Sequence, residues 1–247
     1  MKVISYNARG LGGAEKRVEV RRLVQEKNPN VLCIQESKLG FVDDNVIKAI
    51  WGDTLFGYSF QSSVGASGGM ITAWNNSMLD VWSSTSFDHV LVITGRVILI
   101  IIVIINVYGP CDSSAKRILW EQLTPYVLSK AEFCVCICGD FNSIRSAEER
   151  KGRGLLLRQM EADMFNTFIT DTLLIDLPLC GRLFTWYRGD GISMSRINRF
   201  LLSEKWCEAW PNCIQVAHQR GMSDHVPFVL LVDEDNWGPR PLRMLKC

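Results

Sequence analysis

Two polar residues of types that can take part in catalysis, Asp140 and Asn142, follow an apolar segment of the chain and the glycine after it. That segment, 134–138 (CVCIC), contains five apolar residues and no charge, which predicts a buried strand. We expect Gly139 to end the strand and to let the backbone turn sharply, so that the carboxylate and the amide reach a cleft. The alternative interpretation is an Asx turn that only ends the strand.

Polar residues also follow other apolar segments, each at the point where a strand is expected to end. The start of the chain reads as strand, helix and strand, so Asn7 and Glu36 should lie at the ends of neighbouring strands. In chain order the polar strand ends contain Asn7; Glu36, Ser37 and Lys38; Tyr108; Asp140 and Asn142; Asn198; and Ser223, Asp224 and His225.

The composition limits the classes of protein to consider. The chain has 247 residues, of which 47% are hydrophobic, and its formal net charge is +1. This length suits one large α/β domain or two small ones with a sizeable core. The near-neutral charge excludes a strongly basic nucleic-acid-binding protein but permits an enzyme with local positive charge. We expect a folded domain over residues 1–235 and a linker-like tail over 236–247, which contains Pro239 and Pro241.

The cysteines and the start of the chain bear on the compartment. Nine cysteines, with no signal peptide before the first strand pattern, predict an intracellular location, in the nucleus or cytoplasm. Cys134, Cys136 and Cys138 alternate and would share one face of a strand. They would suit zinc, but buried thiols packed as small hydrophobic groups are favoured, because no histidine is near in sequence.

The longest apolar run, 97–107, is broken only by Asn106. A membrane-spanning helix needs about 20 apolar residues, so this run predicts a central strand, and we expect no membrane partner. Apolar periodicity elsewhere predicts helices over 15–27, 43–51, 113–129, 156–170 and 204–209. Successive strands with short linkers are expected between 56 and 108, and further extended segments at 174–177, 184–187, 195–202, 214–217 and 226–232.

Taken together, the polar strand ends resemble in type and order the motifs of the endonuclease/exonuclease/phosphatase superfamily. Its members include exonuclease III-like apurinic/apyrimidinic (AP) endonucleases and DNase I. Within it, three segments look like the endonuclease domain of plant LINE (non-LTR) retrotransposons: 6–12 (YNARGLG), 195–200 (SRINRF) and 236–242 (NWGPRPL). The resemblance extends over nearly the whole chain.

The resemblance implies a four-layer α/β sandwich of the DNase I-like type, in which two packed mixed β-sheets are flanked by helices. The strand–helix–strand start, the antiparallel middle and the late strands are consistent with this architecture on their own. Residues 1–235 would then be the endonuclease/exonuclease/phosphatase domain. The tail over 236–247 would join it to a reverse transcriptase domain in a longer polyprotein.

The resemblance also implies a role for each site residue. Glu36 would be the chief ligand of Mg²⁺ or Mn²⁺, with Asn7 beside it and Asp224 assisting, and such oxygen ligands suit a hard divalent cation. Asp140 would orient or deprotonate the attacking water. The other implied roles are phosphate binding by Asn142, charge stabilisation by His225 and a hydroxyl on the leaving side from Tyr108.

DNA would be the partner, bound through Lys38, Arg145 and Lys151. The last two lie in the polar loop 143–155, which is either a solvated loop or a segment along a nucleic-acid backbone. One motif departs from the family, because active relatives usually carry Asp where Asn198 stands, and that Asp pairs with the histidine. An amide can accept a hydrogen bond from His225 but supplies no negative charge to hold an imidazolium.

Three hypotheses about function remain open on the sequence alone. A metal-dependent DNA endonuclease that nicks target DNA for a LINE-type retroelement is favoured. A catalytically silent pseudoenzyme or binding domain of the same fold is the second, and Asn198 is its support. The third is a phosphatase acting on a phospholipid headgroup, although the chain shows no lipid anchor. Arg9 and Cys111 stand where AP repair enzymes usually carry other polar residues, which leaves abasic-site specificity open.

Overall fold

The computed structural model describes residues 1–65, 67–152 and 159–232, and two mixed β-sheets with flanking helices make up most of them. In chain order the strands are β1 Val3–Asn7, β2 Val31–Gln35, β3 Phe56–Val64, β4 Ser67–Asn75, β5 Asp80–Phe87, β6 Val90–Val97, β7 Ile100–Tyr108, β8 Cys134–Asp140, β9 Arg150–Lys151, β10 Ile175–Asp176, β11 Leu179–Cys180, β12 Trp186–Tyr187, β13 Met194–Ser195, β14 Asn198–Leu202, β15 Cys213–Ala217 and β16 Phe228–Val232. The helices are α1 Ala14–Lys27, α2 Asp44–Trp51, α3 Ser113–Leu128, α4 Gln159–Asp171 and α5 Glu204–Ala209.

The first sheet has seven strands in the order β11-β15-β16-β1-β2-β4-β3, and the second has six in the order β10-β14-β8-β7-β6-β5. A small third sheet joins β12, β13 and β9. Within the two large sheets, β1 runs parallel to β2 and β7 runs parallel to β8, while the hairpins from β3 to β7 are antiparallel. The parallel pairs at the centre of each sheet place several loops at the same edge.

Alternate residues of the central strands pack in different layers. In β7, Ile102 and Ile104 contribute to the core between the sheets, whereas Val103 and Ile105 pack in the core beneath α3 and α4. On the other side, α1 and α2 cover the outer face of the first sheet, where Val20 packs in the same cluster as Ile4 and other sheet residues. Strands covered on both faces need apolar residues at nearly every position, which explains why this run is apolar except at Asn106. The predicted four-layer sandwich is therefore confirmed.

The one polar residue in the apolar run of β7 links the two sheets. Asn106 is fully buried, and its Oδ1 accepts a hydrogen bond of 2.7 Å from Nε2 of Gln35 on β2. Its Nδ2 donates to the carbonyl oxygens of Ile34 and Ile71 in the first sheet. A buried amide with several partners fixes the position of one sheet against the other. This network lies one residue before Glu36.

The three alternating cysteines of β8 are all part of the apolar core between the sheets. Burial raises the pKa of the Cys138 thiol well above its ordinary value, and it does the same for Cys33 on β2. Protonated thiols among apolar side chains behave as small hydrophobic groups. This placement agrees with the favoured interpretation of these residues.

The segment predicted as one strand over 195–202 is two strands. β13 ends at Ser195, and β14 begins at Asn198. Between them, the backbone N–H groups of Ile197 and Asn198 donate to Oγ1 of Thr185 instead of a strand partner. The break lets β13 join the small third sheet while β14 pairs with β8. The predicted tail over 236–247 lies outside the described residues.

None of the helices in the described parts of the chain is long and apolar enough to cross a membrane.

Candidate active site

The ends of the central strands bring side chains from both sheets into contact. Asn7 ends β1 in the first sheet, and Asp140 ends β8 in the second. The Asn7 Nδ2 donates a hydrogen bond of 2.8 Å to Asp140 Oδ2. Tyr108 ends β7 and lies opposite Asp140 in the parallel ladder. Two of the predicted site residues are therefore in direct contact across the sandwich, and a third lies beside them.

Asn198 and His225 complete this group from two other strands. β14 is antiparallel to β8, and the register places Asn198 opposite Asp140. The Nδ1 of His225 lies 2.9 Å from Asn198 Oδ1, and its Nε2 lies 3.7 Å from Asp140 Oδ2. All three residues are buried, and Asn198 Nδ2 has no hydrogen-bond partner among the residues that the structure describes. The histidine is thus held between an amide and a carboxylate.

The loops that carry the site adopt backbone conformations that side chains other than glycine rarely occupy. Four residues there have φ between 48° and 56°, in the left-handed region, namely Arg9, Glu36, Lys38 and Asn142. Such conformations are uncommon for residues with a Cβ and are retained where the surrounding structure holds them. For Arg9, the hold is an Asx turn in which its N–H donates to Asn7 Oδ1 at 3.1 Å.

Gly139 does not end the strand, contrary to our expectation, because β8 continues through it to Asp140. Its φ is +143°, and a Cβ built on it would lie 1.9 Å from the carbonyl oxygen of Val107 on β7. Glycine is therefore required for the close approach of two parallel strands. Because Gly139 directly precedes Asp140, the close approach of β7 and β8 also sets the position of the Asp140 carboxylate.

The Asp140 carboxylate is held on both oxygens. Its Oδ1 accepts from the backbone N–H of Asn142 at 3.1 Å, and its Oδ2 accepts from Asn7. Burial raises the pKa of Asp140, and the opposing effects of His225 and of these hydrogen bonds do not cancel that increase. A buried carboxylate with a raised pKa beside a histidine has the properties of a proton acceptor.

Glu36 follows β2 and lies beside a lysine and a tyrosine, Lys38 and Tyr108, with which its charge interacts. Its side chain is 10% exposed, and its Oε1 lies 3.2 Å from the ammonium of Lys38. The Tyr108 hydroxyl group lies in the same cavity, where burial and then the charges of Glu36 and Asp140 raise its pKa above the ordinary value. Tyr108 is therefore a neutral hydrogen-bond donor at the site.

Asp224 is engaged with two residues that the sequence analysis did not assign to it. Its Oδ2 accepts a hydrogen bond of 2.6 Å from Arg9 Nη1 and one of 3.0 Å from Trp186 Nε1. Its Oδ1 is buried, has no hydrogen-bond partner and lies 3.9 Å from His225 Nε2. Arg9 also approaches Glu36, with its Nε 3.8 Å from Oε2. A guanidinium thus lies between two carboxylates that were expected to face a metal ion.

The backbone of Asn142 is held by Lys116, a lysine that sequence reasoning missed. The buried ammonium of Lys116 on α3 donates to the Asn142 carbonyl oxygen and to Glu161 Oε2, both at 2.7 Å. The Asn142 side-chain amide donates to the carbonyl oxygen of Gly109 at 2.8 Å. This contact uses one of the two amide hydrogens of Asn142. An amphipathic reading of α3 gives no signal for Lys116, because it assigns lysine to the solvent face.

A cluster of ion pairs holds the segment around Asn198 against Glu149 and Asp176. The guanidinium of Arg199, which is 0% exposed, contacts Asp176 and Glu149, each at 2.7 Å. Arg196 contacts the same two carboxylates. Burial acts to raise the pKa of Asp176, but the charges of Arg199 and Arg196 outweigh it and lower that pKa. Because Arg196 and Arg199 flank Asn198, the cluster fixes the start of β14.

Arg145 belongs to this cluster and does not line the cavity that contains Asp140. Its Nε donates to Asn166 at 2.8 Å, and its Nη1 lies 3.1 Å from Asp176. Lys151, in contrast, is exposed on β9 and is near the cavity in sequence, one residue after Arg150, which lines it. The structure therefore separates two basic residues that the sequence analysis grouped together.

A cavity of about 300 Å³ lies between these loops. Several of its lining residues were absent from the predicted site, and one of them, Trp186, forms a β-bridge with His225. The SRINRF motif, which begins at Ser195, contains two of them, Ser195 and Ile197, whereas it gave no signal for Trp186. The lining residues are Asn7, Arg9, Glu36, Tyr108, Cys111, Asp140, Asn142, Arg150, Trp186, Ser195, Ile197 and His225.

The oxygen donors in the cavity fit a hard divalent cation that keeps part of its hydration shell. No three His, Cys, Asp or Glu side chains within the described ranges converge closely enough to hold a metal alone. Within the cavity, Glu36 supplies a carboxylate and Asn7 supplies an amide oxygen that also accepts from the Arg9 N–H. Asp224 does not line the cavity, but its buried Oδ1 lies 3.9 Å from His225 Nε2 and has no hydrogen-bond partner among the described residues. Mg²⁺ is commonly bound by one or two carboxylates together with water and substrate phosphate oxygens.

Solved structures of nucleases share this fold. The AP endonuclease LMAP from Leishmania major superposes with a TM-score of 0.70 and 19% identity, covering 93% of this chain and 86% of that one. The endonuclease domain of TRAS1, a telomere-specific non-LTR retrotransposon, gives 0.69 and 15%, covering 94% and 97%. The 3′-5′ exonuclease NExo from Neisseria meningitidis gives 0.71 and 19%, covering 94% and 100%. At these identities the likeness shows the fold.

The sequence itself supplies the family. No curated protein sequence matches the chain at a significant level. The model of the Endonuclease/Exonuclease/phosphatase family, however, matches residues 4–225, from the second residue of β1 to His225. With the sandwich and the cluster of strand-end residues, this match shows that the chain belongs to the endonuclease/exonuclease/phosphatase family.

Proposed function

We propose that this protein is a divalent-metal-dependent endonuclease that nicks DNA for a LINE-type retroelement. The observation that carries the proposal is the contact of Asn7, Asp140 and His225 in one cavity that Glu36 also lines. These are the groups that hydrolysis of a phosphodiester needs: a metal ligand, a proton acceptor and a donor for the phosphate.

Each side chain has a distinct role in this proposal. Asp140 orients the attacking water and accepts its proton, because it is a buried carboxylate with a raised pKa. His225 donates to the phosphate and stabilises its negative charge, and Tyr108 donates its hydroxyl hydrogen on the leaving side. Glu36 and Asn7 hold Mg²⁺ or Mn²⁺, which supplies Lewis-acid polarisation of the phosphate when bound.

The retroelement part of the proposal rests on two supports. The SRINRF and YNARGLG motifs are similar to plant LINE endonucleases, and the TRAS1 domain, from a non-LTR retrotransposon, shares the fold over 94% of this chain. In an element of this type, the endonuclease is part of a polyprotein that also carries a reverse transcriptase. We propose DNA as the substrate and such a domain as a covalent partner.

A catalytically silent domain is the second candidate, and Asn198 is the observation that favours it. The amide Nδ2 of Asn198 is buried without a partner, beside a histidine whose Nδ1 faces only the neutral Oδ1. The site is assembled but has one negative charge fewer than the usual family motif provides.

Incubation with supercoiled plasmid and Mg²⁺ or Mn²⁺ should convert it to open circles, and the conversion should stop in EDTA. Glu36→Gln should move the metal concentration that gives half the maximal rate upward by at least about 10-fold, because a neutral amide binds a divalent ion more weakly than a carboxylate. The measurement is the nicking rate across a metal titration for both proteins.

The control is Glu26→Gln, since the carboxylate of Glu26 lies on α1, does not line the cavity and pairs with an exposed arginine of the same helix. It should titrate like the wild-type protein. An unchanged titration for Glu36→Gln would show that Glu36 does not bind the metal. DNA binding without any nicking, both in the wild-type protein and in an Asn198→Asp variant that restores the negative charge, would favour the silent domain. Hydrolysis of a phosphoinositide headgroup in place of DNA would favour the phosphatase hypothesis.

Lys151→Ala should weaken the binding of a DNA duplex and reduce the slope of log affinity against log salt by about 0.9, the value for one phosphate contact. Lys151 is exposed, whereas Arg145 is held by Asn166 and Asp176. Arg145→Ala should therefore lower the melting temperature while changing the salt slope less. Fluorescence anisotropy at several salt concentrations measures both slopes. Equal slopes for Lys151→Ala and the wild-type protein would show that β9 does not contact DNA.

A further inference from the structure

Arg9 lies at a position where a cation is unexpected in a metal-binding site. Its Nη1 is 2.6 Å from Asp224 Oδ2, and its Nε is 3.8 Å from Glu36 Oε2. The two carboxylates come from different ends of the chain, the loop after β2 and the segment before β16. The guanidinium is thus the group that connects them. The Asx turn on Asn7 fixes the Arg9 backbone, so the connection starts from a defined Cα position.

The charges around this connection reduce the negative potential that is available to a divalent ion. Glu36 faces Lys38 on one oxygen and Arg9 on the other. Asp224 faces Arg9 and Trp186 on one oxygen, and only its Oδ1 lacks a partner. Two cations therefore already compensate the two carboxylates before any metal binds. A divalent ion must compete with them for the Glu36 oxygens.

The guanidinium also remains accessible from the cavity. The Arg9 side chain is 46% exposed, and Arg9 lines the cavity together with Asp140 and His225. A guanidinium has five N–H donors in a planar fork, and the two contacts to carboxylates use only part of them. The planar fork matches the geometry of a phosphate group. A phosphate entering this cavity meets Arg9 on the side of Asp224.

We propose that Arg9 is a resident cation of the site, which Asp224 and Glu36 hold in place to bind the substrate phosphate and which competes with a divalent ion for their carboxylates. This inference rests on the proposed phosphodiester chemistry. It assigns to Asp224 the function of anchoring Arg9. It also makes Arg9 a substrate-binding residue that supplies, from the protein, part of the positive charge that the reacting phosphate needs.

Two binding measurements should change in opposite directions when Arg9 is neutralised. Arg9→Gln should bind Mn²⁺ about 10-fold more tightly, because a positive charge within about 4 Å of the metal ligands is removed. The same variant should bind a short DNA duplex in EDTA about 5-fold more weakly, with a salt slope smaller by about 0.9. A residue with only a structural role would weaken both kinds of binding. Electron paramagnetic resonance of free Mn²⁺ and fluorescence anisotropy give the two values.

Two further variants make the comparison sharp. Arg22→Gln removes the same charge from the exposed face of α1, where Arg22 pairs with Glu26, and should match the wild-type protein in both measurements. Arg9→Lys keeps the charge without the planar fork, so it should retain the salt slope and the Mn²⁺ affinity within about 2-fold. Because Arg9 is half exposed, all variants should melt at similar temperatures.

The outcomes separate this inference from the proposed function. Unchanged or weaker Mn²⁺ binding by Arg9→Gln would overturn the competition, and a DNA slope equal to that of Arg22→Gln would overturn the phosphate contact. If the protein nicks no DNA but both shifts appear, the proposed function fails while the role of Arg9 stands. If nicking depends on metal but neither shift appears, the function stands and the role of Arg9 fails.

Discussion

Asp140→Asn should lower the rate of metal-dependent nicking by about 10²–10⁴-fold, the range for loss of a general base. The Asp140 carboxylate accepts a hydrogen bond from Asn7, and its Oδ2 lies 3.7 Å from His225 Nε2. An asparagine can still accept a hydrogen bond on Oδ1, but it cannot take the proton of an attacking water. The measurement is the initial nicking rate at saturating Mg²⁺, where loss of metal affinity does not contribute.

The fold of the Asp140→Asn variant should remain intact, because the amide is isosteric and removes a buried charge. A melting curve and the DNA affinity in EDTA check this directly. Asp53→Asn is the matched control, since Asp53 is a surface carboxylate that pairs with Arg21 and does not line the cavity. If Asp140→Asn keeps its rate within about 10-fold of the wild-type value, the proton acceptor is another group. In that case, the contact between Asn7 and Asp140 would have a structural role.

The resemblance to the family predicted the four-layer fold, and the patterns of the central strands are consistent with it, because the surroundings of each strand explain its pattern. The run around Val103 and Ile104 is apolar at every position, since the sheet is covered on both faces. The interruption at Asn106 is equally informative, because this amide connects the two sheets. The sequence of this one strand therefore indicates that layers pack against both faces of its sheet. The strand ends carried the site for the same reason, as parallel strands end at one edge.

Other features depended on contacts that no local pattern contains. Arg145 and Lys151 look equivalent in a basic loop, but only the tertiary structure shows that Asp176, which lies 31 residues later, binds Arg145. Lys116 on α3 reads as a surface lysine until α4 brings Glu161 to it. Gly139 was expected to end the strand, but glycine is required there because β7 approaches too closely for a Cβ. In each case, the deciding partner is distant in sequence.

Asn198→Asp should raise the nicking rate by about 10–10⁴-fold, the upper limit being the effect of the reverse change in an unrelated serine-protease triad with preserved geometry. The Asn198 Oδ1 already lies 2.9 Å from His225 Nδ1, so the aspartate would need no rearrangement. It would add the missing negative charge and remove the unpartnered Nδ2 donor. The imidazolium form of His225 would then be favoured, which strengthens its donation to a phosphate.

The gain should depend on the histidine, and this dependence distinguishes it from a general change of charge. Asn198→Asp in a His225→Gln background should give little increase, and Asn212→Asp, which adds the same charge in an exposed turn, should give none. Nuclear magnetic resonance of the His225 ring should show protonation persisting to higher pH in Asn198→Asp than in the wild-type protein. Equal rates and equal titration curves would show that the amide does not limit the histidine. A large gain would mean that the scaffold for catalysis is complete in this chain and that a single neutral side chain weakens it.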